Sequence, residues 1–451
     1  MVLSSLTFLL FFLPLTLLLF ALVPAHFRVF VLVVASLLFI GTTSPLSLAL
    51  LCASLLMDYL LSRPIFMRHG QQASRWLLYL ATAKNILLVV GLSVADQLHT
   101  SGQISLQLPT LGVTVCSFTS LGYLIDLYNG ETDPITSVYD YFLFCSFFGK
   151  IHVGPIVSSR DFAPQLRDLR ISWAGVSDGC VWFCHGLAKK LILADSVLLL
   201  GDQLKAIPYT QKTVAGVWLL VLCYLFATYF TLSGYSDMAR GLGAFFGLNL
   251  PENFHYPLQS QSVTDFFSNF NISANRFVRK YVYQALGAED NGTLATTINI
   301  MLITMLMGLW YGISLNLLVW GSLLGCFIVM ETLVGDRLLR IPALLRRIGT
   351  LSLVVLSFSL FCSGSLSQAW FYLQVMFGLG GAPLYNSQLL YLLIPNLALL
   401  LLCTLFSTNF FTRRGRMLQY RFPWLGGVFS LVSNLAIFVV SLAYLVAGGV
   451  A

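Results

Sequence analysis

Proton transfer at neutral pH calls first on histidine, whose imidazole titrates near neutrality, and this 451-residue chain holds only six. His26, His69 and His99 fall at the ends of apolar runs and carry no signal. His152 stands just before Gly154-Pro155-Ile156, where a half-buried ring satisfied by a backbone carbonyl is the expected outcome. His185 precedes Gly186 and Lys189-Lys190, and a structural role is expected of it too. His255, within Pro251-Glu252-Asn253-Phe254-His255-Tyr256-Pro257, sits in a polar stretch and is the candidate base; the plainer reading is a loop histidine. Asp126, Asp195, Asp237, Arg240, Asp265 and Arg279 are the main other ionisable groups in the apolar middle of the chain. Such charges are expensive and mark functional or packed positions; Asp237 and Arg240, three apart, are placed to pair on one helix face. Cys180 and Cys184, four apart, share a helix face and with His185 could be read as a metal cluster, but cysteine is an ordinary small residue in apolar helices. Nine cysteines in or beside apolar runs give no disulfide pattern, and no metal is expected.

The elements that must hold these residues follow from composition. Charged residues make up 10 % of the chain and hydrophobic ones 57 %, with a mean hydropathy of +0.83. So much apolar surface needs lipid as its solvent, and a spanning helix needs roughly 20 apolar residues. Such runs cover Leu3–Val23, Val29–Phe39, Ser44–Leu61, Trp76–Leu92, Leu111–Leu127, Val214–Thr231, Ile298–Leu318, Leu351–Phe361, Leu389–Phe406 and Val428–Val446. The expectation is an all-α, polytopic, multi-pass protein of the cell membrane, with about eleven transmembrane helices plus re-entrant segments where Gly and Pro interrupt the runs. The first run lacks a preceding basic residue and is too long for a signal peptide, so an uncleaved helix is expected. A single membrane domain over 1–451 is expected, with a polar-rich, motif-bearing core at 106–335 between two plainer hydrophobic zones.

The formal charge of +7 gathers in three loops: Arg63, Arg68 and Arg75; Arg337, Arg340, Arg346 and Arg347; and Arg413, Arg414, Arg416 and Arg421. These charges hug helix ends, so the loops are expected to face the cytoplasm and to meet anionic lipid headgroups. No aromatic-basic platform accompanies them, and nucleic acid is not an expected partner.

The core carries an ordered series of motifs. Leu111-Gly112-Val113-Thr114 and Ser117-Phe118-Thr119 lead to Gly122-Tyr123-Leu124-Ile125-Asp126-Leu127-Tyr128. Gly154-Pro155-Ile156, Phe162-Ala163-Pro164-Gln165-Leu166, Gly186-Leu187-Ala188-Lys189-Lys190 and Ala194-Asp195 follow. Then come Gly234-Tyr235-Ser236-Asp237-Met238-Ala239-Arg240-Gly241-Leu242-Gly243, Phe246-Gly247 and Pro251-Glu252-Asn253-Phe254. In this order and spacing the series resembles the membrane-bound O-acyltransferase family, in its alginate O-acetyltransferase and teichoic-acid D-alanyltransferase branch, over roughly the first three quarters of the chain. Met1-Val2-Leu3-Ser4-Ser5 and Phe11-Phe12-Leu13-Pro14 resemble the same branch.

The resemblance implies a ring of helices around a central tunnel. Through it an acyl thioester on a carrier protein or coenzyme A, at the cytoplasmic side, meets a hydroxyl acceptor from the other side. It also implies a histidine that deprotonates the hydroxyl, and here the sequence departs. The family stretch Asp-Phe-Trp-Arg-Arg-Trp-His-Ile-Ser corresponds to Asp265-Phe266-Phe267-Ser268-Asn269-Phe270-Asn271-Ile272-Ser273, so Asn271 takes a histidine position. Gly-Leu-Trp-His-Gly corresponds to Gly308-Leu309-Trp310-Tyr311-Gly312, so Tyr311 takes another. Trp320-Gly321-Ser322-Leu323-Leu324-Gly325 has leucine where many relatives carry a third.

An amide has no basic lone pair, so Asn271 orients groups but takes no proton. A phenol titrates at about 10, so Tyr311 serves at neutral pH as a hydrogen-bond donor. Losing a positioned base lowers rate by about 10²–10⁴-fold. Tyr311 and Asn271 are therefore the expected reaction-site pair, His255 the alternative base, and Asp126, Asp237, Arg240, Asn253, Asp265 and Trp310 the tunnel or supporting residues. The expected role is acyl transfer to a cell-envelope polysaccharide or export partner with impaired catalysis. An acyl carrier protein and an envelope acyltransferase are the expected protein partners. A second reading has the pair help through donors alone; a third is a non-catalytic scaffold or acyl conduit. A transporter would be consistent with broken helices, but no inverted repeat is visible.

Overall fold

In the computed structural model, residues 1–100, 111–283 and 292–448 are described; the core boundary expected near residue 106 lies outside them. Among the described residues there is no strand, and a single isolated bridge joins Phe254 to Phe270. Eight helices there are long and apolar enough to cross a membrane: Pro45–Met67, Gln72–His99, Val214–Phe245, Gly292–Trp310, Leu315–Val334, Ala343–Phe361, Ser387–Phe406 and Gly427–Gly448. Phe8–Leu22 and Ala25–Gly41 add shorter apolar helices. The all-helical, multi-span architecture is the expected one.

One expected span is redrawn. Ile298–Leu318 is not continuous: the chain leaves helix after Trp310 and restarts at Leu315. Ser314, in extended conformation, accepts from the Leu317 N–H at 3.2 Å and so caps a new helix. Hydropathy runs straight across this break, which is why the sequence hides it.

The described chain falls into two compact units. Met1–Gly186 with Tyr235–Glu252 forms the first. Its interior is a set of packed rings: Phe8, Phe12, Phe39 and Phe148 lie with centroids 5.4–6.2 Å apart. The Gly-Tyr-Ser-Asp motif includes Gly241, where a Cβ would come within 2.6 Å of the Gly179 carbonyl oxygen. Two backbones meet there, and only glycine fits. Its neighbour Arg240 lies 3.8 Å over the Trp182 ring instead of pairing with Asp237 as expected. In apolar surroundings the ring face substitutes for a carboxylate. His152 also departs from expectation. Its Nε2 is buried with no partner among the described residues, and its ring sits against Phe39 and Tyr235 at 5.6 and 5.3 Å. Burial favours its neutral form.

The same unit holds a polar cluster whose charged members, Asp58 and Lys84, lie before the polar-rich core expected at 106–335. Asp58, fully buried, accepts at Oδ2 from Lys84 Nζ (2.8 Å), Asn85 Nδ2 (3.0 Å) and Ser120 Oγ (2.7 Å). Ser120 Oγ in turn lies 2.7 Å from Tyr141 Oη. The cluster ties Pro45–Met67 and Gln72–Thr100 to Leu111–Tyr128 and Val138–Ser146.

Leu187–Gly234 with Asn253–Ala447 forms the second unit. Its apolar core runs through Leu220, Phe230, Val263, Phe266, Trp320, Leu324, Val355 and Phe358, and it contains Phe270 and borders Tyr311.

Removing one member of a buried ion pair costs about 3–5 kcal/mol, because the other charge stays buried alone. Lys84→Met is expected to destabilise the detergent-purified protein by about 3 kcal/mol, the low end of that range since Lys84 keeps some exposure. The Lys84→Met/Asp58→Asn double variant is expected to recover most of the loss. Thermal unfolding followed by circular dichroism checks both.

Candidate functional site

The site is a turn held between two short helices. Val263–Asn269 starts with the N-cap Ser262, whose Oγ accepts from the Asp265 N–H at 2.9 Å. Two further N–H groups of this start are taken by one carboxylate: Glu331 accepts from Val263 at 2.5 Å and from Thr264 at 2.9 Å. A carboxylate suits the positive end of a helix. The helix stops at Phe270, and Asn271 adopts the left-handed conformation at φ 60, ψ 58 before Ile272–Val278 begins. Asparagine and histidine are among the few non-glycine residues that enter this region readily. The turn is pinned from several sides. The Ile272 N–H donates to the Asn253 carbonyl at 2.9 Å, and Asn275 Nδ2 donates to the carbonyls of Phe267 and Phe270. The Phe254–Phe270 bridge closes the loop.

Tyr311 reaches this turn from the end of Gly292–Trp310. That helix and Leu315–Val334 approach backbone to backbone: a Cβ at Gly308 would lie 2.2 Å from the Leu317 oxygen, and one at Gly321 equally close to the Thr304 oxygen. Small residues permit such approaches between membrane helices. The close hairpin brings Trp320 against Tyr311, ring centroids 5.8 Å apart, with Phe361 at 5.8 Å and Phe270 at 6.4 Å. Trp320 is itself held by Nε1 donating to Ser357 Oγ at 3.2 Å.

Three polar side chains meet inside these rings. The Ser273 backbone N–H donates to Asn253 Oδ1 at 2.8 Å. Asn253 Nδ2 donates to Asn271 Oδ1 at 3.1 Å. Asn271 Nδ2 points at Tyr311 Oη from 3.5 Å, a long contact. Asn253 and Asn271 are buried, while Tyr311 is half-buried. Burial holds the Tyr311 phenol above its ordinary value, partly offset by the amide beside it. At neutral pH the group is a phenol, able to give a hydrogen bond and unsuited to taking a proton.

The other expected residues are placed as follows. Trp310 ends its helix, one residue before Tyr311. Asp265 is exposed, accepting from Asn269 Nδ2 at 2.7 Å and from the Gln261 N–H at 3.2 Å, so it supports the helix start and not the phenol. His255 is exposed, its backbone N–H bound to the Asn269 carbonyl at 3.1 Å. Asp126 and Asp237, both buried, and Arg240 belong to the other compact unit. Glu331, Asn275 and Trp320 were missed as positioning residues. Glu331 was findable, because an acid inside the apolar run Leu315–Val334 is costly and needs a partner.

With this geometry in view, comparison with known proteins decides the lineage. The model of the membrane-bound O-acyltransferase family matches residues 99–368, more than half of the chain. The chain belongs to the membrane-bound O-acyltransferase family. It is similar to a protein named probable alginate O-acetylase from Azotobacter vinelandii, 32 % identical over 88 % of this chain and 83 % of that one. It is also similar to a peptidoglycan O-acetyltransferase from Helicobacter pylori, 28 % identical over 78 % of this chain and 74 % of that one. A teichoic acid D-alanyltransferase from Bacillus subtilis is 24 % identical over 47 % of this chain and 56 % of its own length.

If the glycine contact sets the hairpin that carries Tyr311, Gly321→Ala should destabilise the protein by about 1–3 kcal/mol through overpacking. Gly349→Ala, on a helix where nothing lies within 4 Å of the new methyl, should instead leave stability unchanged or raise it by about 0.5–1 kcal/mol. Melting temperatures of the two variants side by side test the contrast.

Proposed function

We propose that this chain acts in O-acyl transfer to the cell envelope. It takes a small acyl group from a cytoplasmic thioester, on a carrier protein or coenzyme A, towards a hydroxyl of an envelope polysaccharide or an export partner. Proton removal is impaired at the reacting site. Family membership supports the reaction class, and relatives named for O-acetylating alginate or peptidoglycan support the kind of acceptor. The observation that carries the impairment is the contact of Asn271 with Tyr311, at two positions where the sequence resemblance puts histidines.

The chemistry follows from what each group offers. A hydroxyl attacking a thioester must lose its proton. The Asn271 amide cannot take it. Tyr311 could take it only as a phenolate, which burial disfavours. What remains is donor and positioning help, worth less than a base in place. His255, exposed on the loop, is the nearest candidate in sequence for a replacement base.

Acyl transfer from thioester donors to a polysaccharide hydroxyl, measured with purified protein, tests the reading. The wild type is expected to run about 10²–10⁴-fold below the Asn271→His/Tyr311→His double variant. Equal rates would remove the impairment from the account. Turnover by the double variant alone would make the natural chain a scaffold or acyl conduit, and no thioester consumption by either would end the acyl-transfer reading.

A further inference from the structure

The hydrogens along Asn253, Asn271 and Tyr311 can run in one direction only. An amide's oxygen and nitrogen are ordinarily assigned from their surroundings, and here a backbone N–H makes the assignment. The Ser273 N–H can only donate, so the Asn253 atom facing it, 2.8 Å away, is the carbonyl oxygen. The Asn253 atom facing Asn271 is then its NH₂, donating at 3.1 Å to Asn271 Oδ1. Asn271 must therefore turn its own NH₂ towards Tyr311 Oη, 3.5 Å away. That long contact sets a donor, and no acceptor, against the phenol oxygen, so the phenol hydrogen has to leave in another direction. Among the described residues no acceptor takes it.

We infer that this relay is a binding site for the carbonyl oxygen of an acyl group, with Tyr311 as the donor that touches it and Asn253 as the residue that sets the relay's direction. The ligand class follows from the polarity. A hydroxyl awaiting acylation needs a group to receive its proton, and no member of the relay offers one. A carbonyl oxygen only accepts, and a donor with no competing acceptor matches it. The walls match too, since Phe270, Trp320 and Phe361 surround the phenol with apolar surface suited to an acyl chain, while Tyr311 keeps part of its surface open. The inference rests on the acyl-transfer reading above and names the substrate group that this site holds.

The assignment separates polarity from shape. Asn271→Asp keeps size and still accepts from Asn253, but its second oxygen takes the Tyr311 hydrogen. Asn253→Asp still accepts from Ser273, but it turns the Asn271 amide around, so that the Asn271 carbonyl captures the phenol hydrogen. Tyr311→Phe removes the donor outright.

The experiment uses S-acetyl-pantetheine, the arm common to coenzyme A and a carrier protein, labelled with ¹³C at the acetyl carbonyl. It is followed by isotope-edited infrared difference spectroscopy on the purified full chain, with retention of the probe measured by equilibrium dialysis. In the wild type the labelled carbonyl band is expected at lower frequency than in free probe. In all three variants it is expected back at the free position, although two of them retain the phenol. A retained probe with an unshifted band in the wild type overturns the carbonyl site and leaves acyl transfer standing. A shift that survives both isosteric aspartates overturns the directional relay. A probe not retained by the wild type overturns the site, and thioester consumption in the turnover assay then decides whether acyl transfer falls with it.

Discussion

Backbone hydrogen bonding in the absence of water is the constraint on which this structure depends. Inside lipid, each unpaired N–H or C=O costs several kcal/mol, so irregular chain survives there only where protein groups replace the missing partners. The second unit breaks its helices at the very places where chemistry is expected, and each break is repaired. Ser314 serves Leu317, Glu331 serves Val263 and Thr264, and Asn253 serves Ser273 with its side chain and Ile272 with its main-chain carbonyl. The side chains that satisfy the backbone are thus the ones that place Asn271 and Tyr311. Support and site are one network.

The same economy explains why an amide pair can be directional. A backbone N–H that must be satisfied has a fixed polarity, and Asn253 passes that polarity to the next side chain. Buried polar networks are rigid when every member is satisfied. Here the last hydrogen is the one left over, so the network's unspent donor lies at its end and not in its middle.

Much of this was legible in the sequence, and the reasons for the rest are physical. Runs of apolar residues announce spanning helices because lipid thickness demands them, and the motif series led to Asn253, Asn271 and Tyr311. The break after Trp310 was not legible, since Leu309 to Leu318 is apolar on both sides of it and the signal is only Gly312 and Ser314. Asp58 and Lys84 escaped notice because they lie on separate helices and only the packed chain brings them to 2.8 Å. The expected Asp237–Arg240 pair failed for the converse reason: neighbours in helical spacing were available, but Trp182 offered Arg240 a ring face. Glu331 was visible as a lone acid, yet its target, a helix start far away in sequence, was not.

The left-handed backbone at Asn271 has a bearing on how such a chain arises. Few side chains tolerate that conformation, and asparagine and histidine both do, so either can occupy the turn while the loop keeps its shape. Codons for asparagine and for tyrosine each lie one base from a histidine codon. A lineage can therefore exchange proton-accepting groups for hydrogen-bonding ones, or back again, by single mutations that leave the surrounding architecture intact, and the fold's ancestry says little about which chemistry a given descendant performs.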